Sequence, residues 1–362
     1  MSDDQRSLRI LYAVSSMGFG HVHRSLPLIR KLLGDGAAVT IVSDGQGLEA
    51  LRKELAGQAG VDFIALTDYP PLQRGSGLAH YWYFLSDILG MLRVMRREGR
   101  AAARLVAELS PDVIVSDGRF GFLSKHVPSF LICHIIRFFL PPLLRPFQLV
   151  CDLVNLLILR RFDRVLVPDF PNPDVCLTGE LSHNWIARLL KPAYVGYLAS
   201  ALRQDVEKDI DILFLTGGFL TTPKLAWETW VRRASQALGG GRVVSIIGRI
   251  GKSAAAPAGL EQHDYVLGAA RDVFMNRAHR IIARSGYTTI SDLVELGKDA
   301  ILIPTPGMTE QAYLAKRYPP EELIGCTGYA FRYSELPPAI RSWRNEDSIR
   351  RILAEIGLRH ED

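Results

Sequence analysis

The chain has 362 residues, 48% of them hydrophobic, and a formal charge of +5 from 43 basic and 38 acidic side chains. That length suits two domains with ordinary cores, and the composition excludes disorder and fibrous architectures. The small basic excess does not argue for nucleic acid and fits an anionic ligand or surface.

Residues 9–15 (RILYAVS) form a short apolar run that ends at small residues, which predicts a buried strand. Residues 25–33 have helical spacing and are closed by Gly34 and Gly36; residues 38–43 are the next strand. Strand, helix and strand in this order make a βαβ unit. Further strands are predicted at 61–66, 112–116, 129–133 and 164–168. A long amphipathic helix at 80–109 carries Arg93, Arg96, Arg97, Arg100 and Arg104. The apolar stretch 126–159 is interrupted by Arg137, Arg145, Asp152 and three prolines. It therefore lacks the run of about 20 apolar residues that a membrane span needs. Docking on a membrane surface and burial as a groove wall both remain open for it.

A second alternating set follows, with strands at 212–216, 242–247, 280–283 and 300–304 and helices at 227–238, 269–277 and 288–296. Residues 196–208 read as the linker. The division is thus an N-terminal Rossmann-like domain over 1–197, a C-terminal one over 198–340, and a terminal helical segment over 341–362. In that segment 345–356 is a helix with Asn345 as its N-cap. The four cysteines, Cys133, Cys151, Cys176 and Cys326, are scattered without metal-ligand spacing and read as core residues of a reducing cytosol. Residues 1–9 are polar and are not patterned as a signal peptide.

Four stretches carry chemistry. Gly18-Phe19-Gly20-His21-Val22-His23-Arg24 joins the first strand to the first helix. Gly18 and Gly20 let backbone approach a ligand, and a helix N-terminus favours negative charge. A dinucleotide fingerprint would need a third glycine where His23 stands, so an NAD reading is set aside. The distinctive feature is His21, held at the strand ends where open α/β sheets bind ligands. Asp117, in Ser116-Asp117-Gly118 after a neighbouring strand, can accept a bond from His21 and fix its tautomer; an ordinary turn aspartate is the alternative. Gly217 and Gly218, after the first strand of the second half, form a candidate phosphate loop. The strongest pattern runs through Arg284, Ser285, Gly286, Thr289 and Asp292, then Glu310 and Gln311. The Ser285-Gly286 turn opens a helix and suits a phosphate. Asp292 can accept from a ribose diol, and Glu310 and Gln311 can reach sugar hydroxyls. Polar capping in an ordinary α/β domain is the alternative. Asp209 and Asp211 have the spacing of a carboxylate pair but stand at a strand entry, so no metal site and no cofactor are expected.

Residues 284–311 resemble the donor-binding domain of the family 28 glycosyltransferases. That group includes the N-acetylglucosaminyltransferase that completes the lipid-linked precursor of peptidoglycan. The loop ending in His21 resembles the acceptor-side loop of the same superfamily. Its form, Gly-x-Gly-His-x-x-Arg, is nearest a branch of glycosyltransferases whose substrates are not named. The resemblance implies the α/β GT-B fold, two Rossmann-like domains whose parallel sheets face each other across a cleft. It further implies a metal-independent inverting transfer from a nucleotide sugar, a UDP-sugar, to a hydroxyl acceptor that can be lipid-linked. The place implied is the cytoplasm, peripheral on the inner face of the membrane. Ser285 and Gly286 match the family's diphosphate turn, Asp292 stands where the family carries a glutamate for the ribose, and Gln311 matches a sugar-contacting glutamine. Ala312 stands where peptidoglycan enzymes have a second glutamine, so N-acetylglucosamine is not assumed. Hydrolases and epimerases of nucleotide sugars share this fold, and a non-catalytic donor-binding subunit would too; these alternatives stay open.

Overall fold

Two runs of buried apolar strands nucleate two sheets. The computed structural model describes residues 7–69, 78–140, 142–217, 222–238, 241–248, 255–266 and 268–357. The first half contains β1 (Arg9–Val14), α1 (Phe19–Gly34), β2 (Ala38–Ser43), α2 (Gly45–Glu54), β3 (Val61–Ala65), α3 (Leu78–Leu109), β4 (Val113–Asp117), β5 (Ser129–Ile132), α4 (Gln148–Leu159), β6 (Arg164–Val167), α5 (Trp185–Leu190) and β7 (Ala193–Tyr194). These strands pair in the order β3-β2-β1-β4-β5-β6-β7, all parallel. A parallel sheet is covered on both faces, which is why β1 and β4 read as unbroken apolar runs.

The second half contains β8 (Ile210–Leu215), α6 (Thr222–Ala237), β9 (Val243–Ile246), β10 (Leu260–His263), α7 (Gly268–Arg277), β11 (Ala278–Arg284), α8 (Tyr287–Leu296), β12 (Ala300–Ile303), α9 (Thr309–Ala315), β13 (Pro320–Leu323), β14 (Cys326–Phe331), α10 (Pro338–Arg341) and α11 (Asn345–Glu355). The sheet order is β10-β9-β8-β11-β12-β14-β13. It is parallel except that β14 runs antiparallel to both β12 and β13. The hairpin between β13 and β14 turns on Ile324 and Gly325, both with positive φ (48° and 68°), the backbone of a two-residue turn matched to strand twist.

Each sheet reverses its winding beside its first strand, between β1 and β4 and between β8 and β11, and crevices for ligands open at such points. Asp209 pairs with Arg242 and Arg277 at the entry to β8, so the carboxylate pair there is a charged strand entry, as its position predicts.

The linker is pinned rather than free. The Tyr197 hydroxyl donates to Glu295 at 2.6 Å, and Asn345 Oδ1 accepts from the Ala199 N–H at 2.9 Å. Asn345 is therefore not the N-cap of α11. That place belongs to Arg344, whose N–H is taken by Asp347 at 3.1 Å, because the helix starts one residue earlier than the composition suggests. Ile349, Ile352, Leu353 and Ile356 of this last helical segment pack into the core around β1 and α1, so the chain ends on its first domain.

Candidate functional site

The loop after β1 is drawn onto β4: the Ser15 N–H donates to the Asp117 carbonyl at 2.9 Å. Asp68 braces the same loop, accepting from the hydroxyls of Ser15 (3.1 Å) and Ser16 (2.9 Å). His21 lies in the first turn of α1, and its Nδ1 stands 2.8 Å from Asp117 Oδ1. Gly118 makes room for the ring. Its φ is +73°, and a Cβ there would sit 2.5 Å from His21 Cε1. Any side chain at 118 would thus meet both backbone strain and a clash.

Asp117 is fully buried and accepts from four groups: His21, both arms of the Arg24 guanidinium, and the Ser25 hydroxyl at 2.8 Å. Burial opposes ionisation of this carboxyl, but Arg24 and then His21 more than offset it and hold it well below the usual carboxylate range. The negative charge is therefore shared with a fixed cation. Asp117 orients the imidazole more than it supplies net charge to it. His21 Nδ1 also lies 2.9 Å from Arg24 Nη2, and Nε2 has no hydrogen-bond partner among the described residues.

Arg24 extends the network. Its Nη1 donates to His134 Nδ1 at 2.9 Å, and His134 Nε2 donates to Glu310 Oε1, in the second domain, at 2.9 Å. Burial pushes the His134 pKa down, although Glu310 beside it works the other way, so the ring serves as a neutral bridge. The sequence motif contained Arg24 without a role. Its spacing three residues after His21 puts both on one face of α1, which was the available signal. His134 lies at the end of β5 and gave none.

In the second domain, Ser285 is buried and its hydroxyl donates to the Gln311 carbonyl at 2.9 Å. Gly286 is the N-cap of α8 and offers no side chain to the first N–H groups of that helix. Those orphan donors and the helix dipole make the turn fit for an anion. Thr289 sits half-buried in the first turn of α8. Gln311 Oε1 accepts from the Thr305 N–H at 2.9 Å. Its Nε2 faces Gly286, 4.0 Å from where a Cβ would stand. Gly217, two residues after β8, has φ +67° and nothing within 4 Å of a would-be Cβ; Gly218 lies outside the described residues.

The two edges meet. The Thr288 hydroxyl donates to the Gly20 carbonyl at 3.1 Å, and Arg271 donates to His23 Nδ1 at 2.9 Å. Gly20 allows this approach, since a Cβ would lie 3.1 Å from Thr288 Oγ1. Gly18 has φ 171°, an extended backbone, and nothing near a would-be Cβ, so it lengthens the open entry to α1 without being forced to be glycine.

No protein-family model matches the chain. A UDP-N-acetylglucosamine–N-acetylmuramyl-(pentapeptide) pyrophosphoryl-undecaprenol N-acetylglucosamine transferase of Limosilactobacillus reuteri is 22% identical over 324 residues, which cover 83% of this chain and 80% of the relative. One of the same name from a Methylobacterium species is 26% identical over 338 residues, covering 89% and 82%. Among solved structures, the glycosyltransferase SnogD from Streptomyces nogalater superposes with a TM-score of 0.57 at 14% identity, covering 97% of this chain and 95% of that one. The calicheamicin glycosyltransferase CalG4 does so with 0.56 at 15% identity, covering 97% and 94%. The fold is GT-B.

In this GT-B frame two expected donor contacts fall to other roles. Asp292 is buried, and both its oxygens are engaged. Oδ1 accepts from the N–H groups of Ser200 (2.7 Å) and Ala201 (2.9 Å), and Oδ2 accepts from Arg271 Nη2 (2.8 Å). It ties the linker to α7 and α8 and presents no free oxygen to a ribose. Arg284 is buried too, stacked 4.1 Å over Trp227 and donating to the Pro304 carbonyl at 2.9 Å; burial draws its pKa down to about 10. It supports the turn after β12. Glu310, expected at sugar hydroxyls, is held by His134 in this state.

Proposed function

We propose that the chain is a nucleotide-sugar-dependent glycosyltransferase in which His21 removes the proton of an acceptor hydroxyl. The observation that carries this reading is the His21–Asp117 pair at 2.8 Å, with Nε2 unpartnered among the described residues, beside the uncapped start of α8. The deprotonated hydroxyl attacks the anomeric carbon from the face opposite the nucleotide diphosphate, with inversion. The Ser285-Gly286 turn and the N–H groups of α8 take up the charge of the departing diphosphate, the part a metal plays elsewhere. The donor is a UDP-sugar, in line with the sequence relatives, which are named for UDP-N-acetylglucosamine. Ala312, following Gln311, leaves the sugar itself open.

We place the acceptor at a membrane surface. The face of α4 away from the domain exposes Leu149, Val150, Leu153, Val154 and Leu157, with Leu143 and Phe147 just before it. Arg145, Arg160 and Arg161 flank this face and are exposed. Burying one such apolar side chain contributes about 1.5–3 kcal/mol, and a contiguous exposed set of this kind marks an interaction surface. Among the described residues no helix is long and apolar enough to cross a membrane, so the face suits docking. Thermal shift with UDP-, GDP-, dTDP- and CMP-sugars tests the donor: a bound donor raises the melting temperature by mass action, and a UDP-sugar should do so most.

A further inference from the structure

The loop after β6 holds a cluster that the proposed transfer does not use. We propose that Asp169, Cys176 and His183 form a zinc site that fastens this loop where it meets the second domain. One ligand atom from each of the three lies within 4.8 Å of the other two. Asp169 is fully buried, Cys176 is 7% exposed, and the His183 side chain is 9% exposed. His183 Nε2 is buried with no hydrogen-bond partner, 3.7 Å from Asp169 Oδ2. A buried polar nitrogen without a partner is costly and calls for an explanation, and an ion between it and the carboxylate supplies one.

The donor set decides which ion. A thiolate, an imidazole and a carboxylate together suit zinc; calcium and magnesium take oxygen ligands and leave sulfur alone. The three ligands are already held in place. Asp169 Oδ1 accepts from the N–H groups of Phe170 and Leu177, and Oδ2 accepts from that of Thr178, each at 2.9 Å; the hydroxyls of Thr178 and Ser182, which also point at Oδ2, would turn away to free a lone pair for the ion. The His183 ring stacks on Tyr194 at 4.8 Å and 11°. Cys176 donates its thiol proton to the Pro173 carbonyl at 3.0 Å. On binding, the thiol proton and the proton that, despite burial, Asp169 and Cys176 favour on the His183 ring leave to solvent, and sulfur and nitrogen bond the ion: R–SH + ImH⁺ + Zn²⁺ → (R–S)Zn(Im)⁺ + 2 H⁺. Two anionic ligands then balance the ion's two charges, and a water completes the fourth position that three protein ligands leave.

Arg317 gives the site its reach. Its Nη2 donates to the Cys176 carbonyl at 3.0 Å and lies 3.7 Å from the sulfur, where it can donate to the thiolate as outer partners of metal ligands do. Arg317 follows α9, the helix that begins with Glu310 and Gln311 next to its N-terminal Thr309. Tyr313 of the same helix accepts the Glu180 N–H at 2.8 Å. Gly179, with φ +53°, permits this contact, since a Cβ would lie 2.2 Å from Arg317 Nη1.

Cobalt reports the ligands directly. The full chain, treated with chelator and desalted, is titrated with Co²⁺ and followed in the near ultraviolet. A thiolate-to-cobalt charge-transfer band is expected, saturating at about one ion per chain and bleached by Zn²⁺. Cys176→Ser should abolish the band, His183→Ala should weaken Co²⁺ binding by about tenfold or more, and Cys326→Ser should leave both unchanged. Circular dichroism checks that each variant is folded. Absence of a sulfur band in the wild type overturns the proposal whatever the variants do. So does a band that survives in folded Cys176→Ser or keeps its affinity in His183→Ala.

Discussion

His134 and Glu310 join the two domains through a 2.9 Å hydrogen bond, and the other nitrogen of His134 accepts from Arg24, the same arginine that grips Asp117. The bridge needs a neutral imidazole, and burial lowers the His134 pKa below its ordinary 6.5. The sign of the pH effect follows. As pH falls below about 6.5 the unfolded chain takes up the proton before the folded one does, so stability held above that value is lost on acidification. His134→Gln keeps a donor for Glu310 and removes the titration. The variant should melt below the wild type at pH 8, and the gap should narrow as pH falls from about 7.5 to 5.5. Melting curves of the pair across that range decide it; a gap independent of pH would take His134 out of the account.

Asp292 should behave as a structural residue. Its carboxylate is buried, pairs with Arg271 and caps two N–H groups of the linker. Removing one partner of such a pair leaves a buried charge and costs about 3–5 kcal/mol. Asp292→Ala should therefore lose stability on that scale in denaturant melts. A loss under about 1 kcal/mol would return Asp292 to the list of ligand contacts.

Most strands were legible because parallel strands covered on both faces must be apolar throughout, as residues 10–14 and 113–115 are. β13 was not, since Pro320, Glu321 and Glu322 on an edge strand carry no such pattern, and antiparallel pairing to β14 came with it. α4 was hidden for the opposite reason. Its exposed face is apolar while its buried face carries Asp152 and Asn155 beside Leu156 and Leu159, so no ordinary helical stripe marked it inside the apolar stretch. In the site, His21 and Asp117 could be paired because the turn after β1 that leads to His21 and the end of β4 that carries Asp117 belong to adjacent strands of one sheet. The partners of Asp292 could not, since Ser200 and Ala201 are 92 and 91 residues away in an irregular linker. Cys176 looked solitary for a similar reason. Its companions Asp169 and His183 are gathered by a loop whose regular structure is one 3-10 turn at Gly179–Leu181, and no ligand spacing in the sequence announced them.

The exposed face of α4 should direct the chain to lipid. Vesicles rich in anionic lipid should carry the wild type down on centrifugation at low salt and release it as salt screens Arg145, Arg160 and Arg161. Leu153→Glu with Leu157→Glu should reduce the sedimented fraction at least about tenfold with little change in melting temperature, because both side chains already face solvent. Equal binding by the double variant would place the lipid contact elsewhere.

Turnover should not depend on magnesium or manganese. The charge of the departing diphosphate falls on the N–H groups at the start of α8, and the carboxylates nearest the cleft, Asp117 and Glu310, are each already paired with a positively charged or hydrogen-bonding partner. Assays with and without added Mg²⁺ or Mn²⁺ should agree within about twofold. A rate that rises tenfold or more with either ion would move catalysis to a metal.

The decisive prediction concerns His21. A general base contributes about 10²–10⁴-fold to a rate, so His21→Ala should lose turnover on that scale while the affinity for the donor, set by the second domain, changes little. Asp117→Asn is a sharper probe. The amide removes the anionic partner of both His21 and Arg24, so kcat should fall, but by less than in His21→Ala if Asp117 only orients the ring. Donor affinity measured by calorimetry separates these effects from misfolding. Full turnover of His21→Ala with a competent acceptor would reduce the Gly18–Arg24 loop to a structural turn. The wild type incubated with donor alone gives the last discrimination. Slow release of free sugar is expected of a transferase whose base waits for an acceptor hydroxyl. Rapid release that vanishes in His21→Ala would mean the same histidine activates water, and the chain would then be a nucleotide-sugar hydrolase.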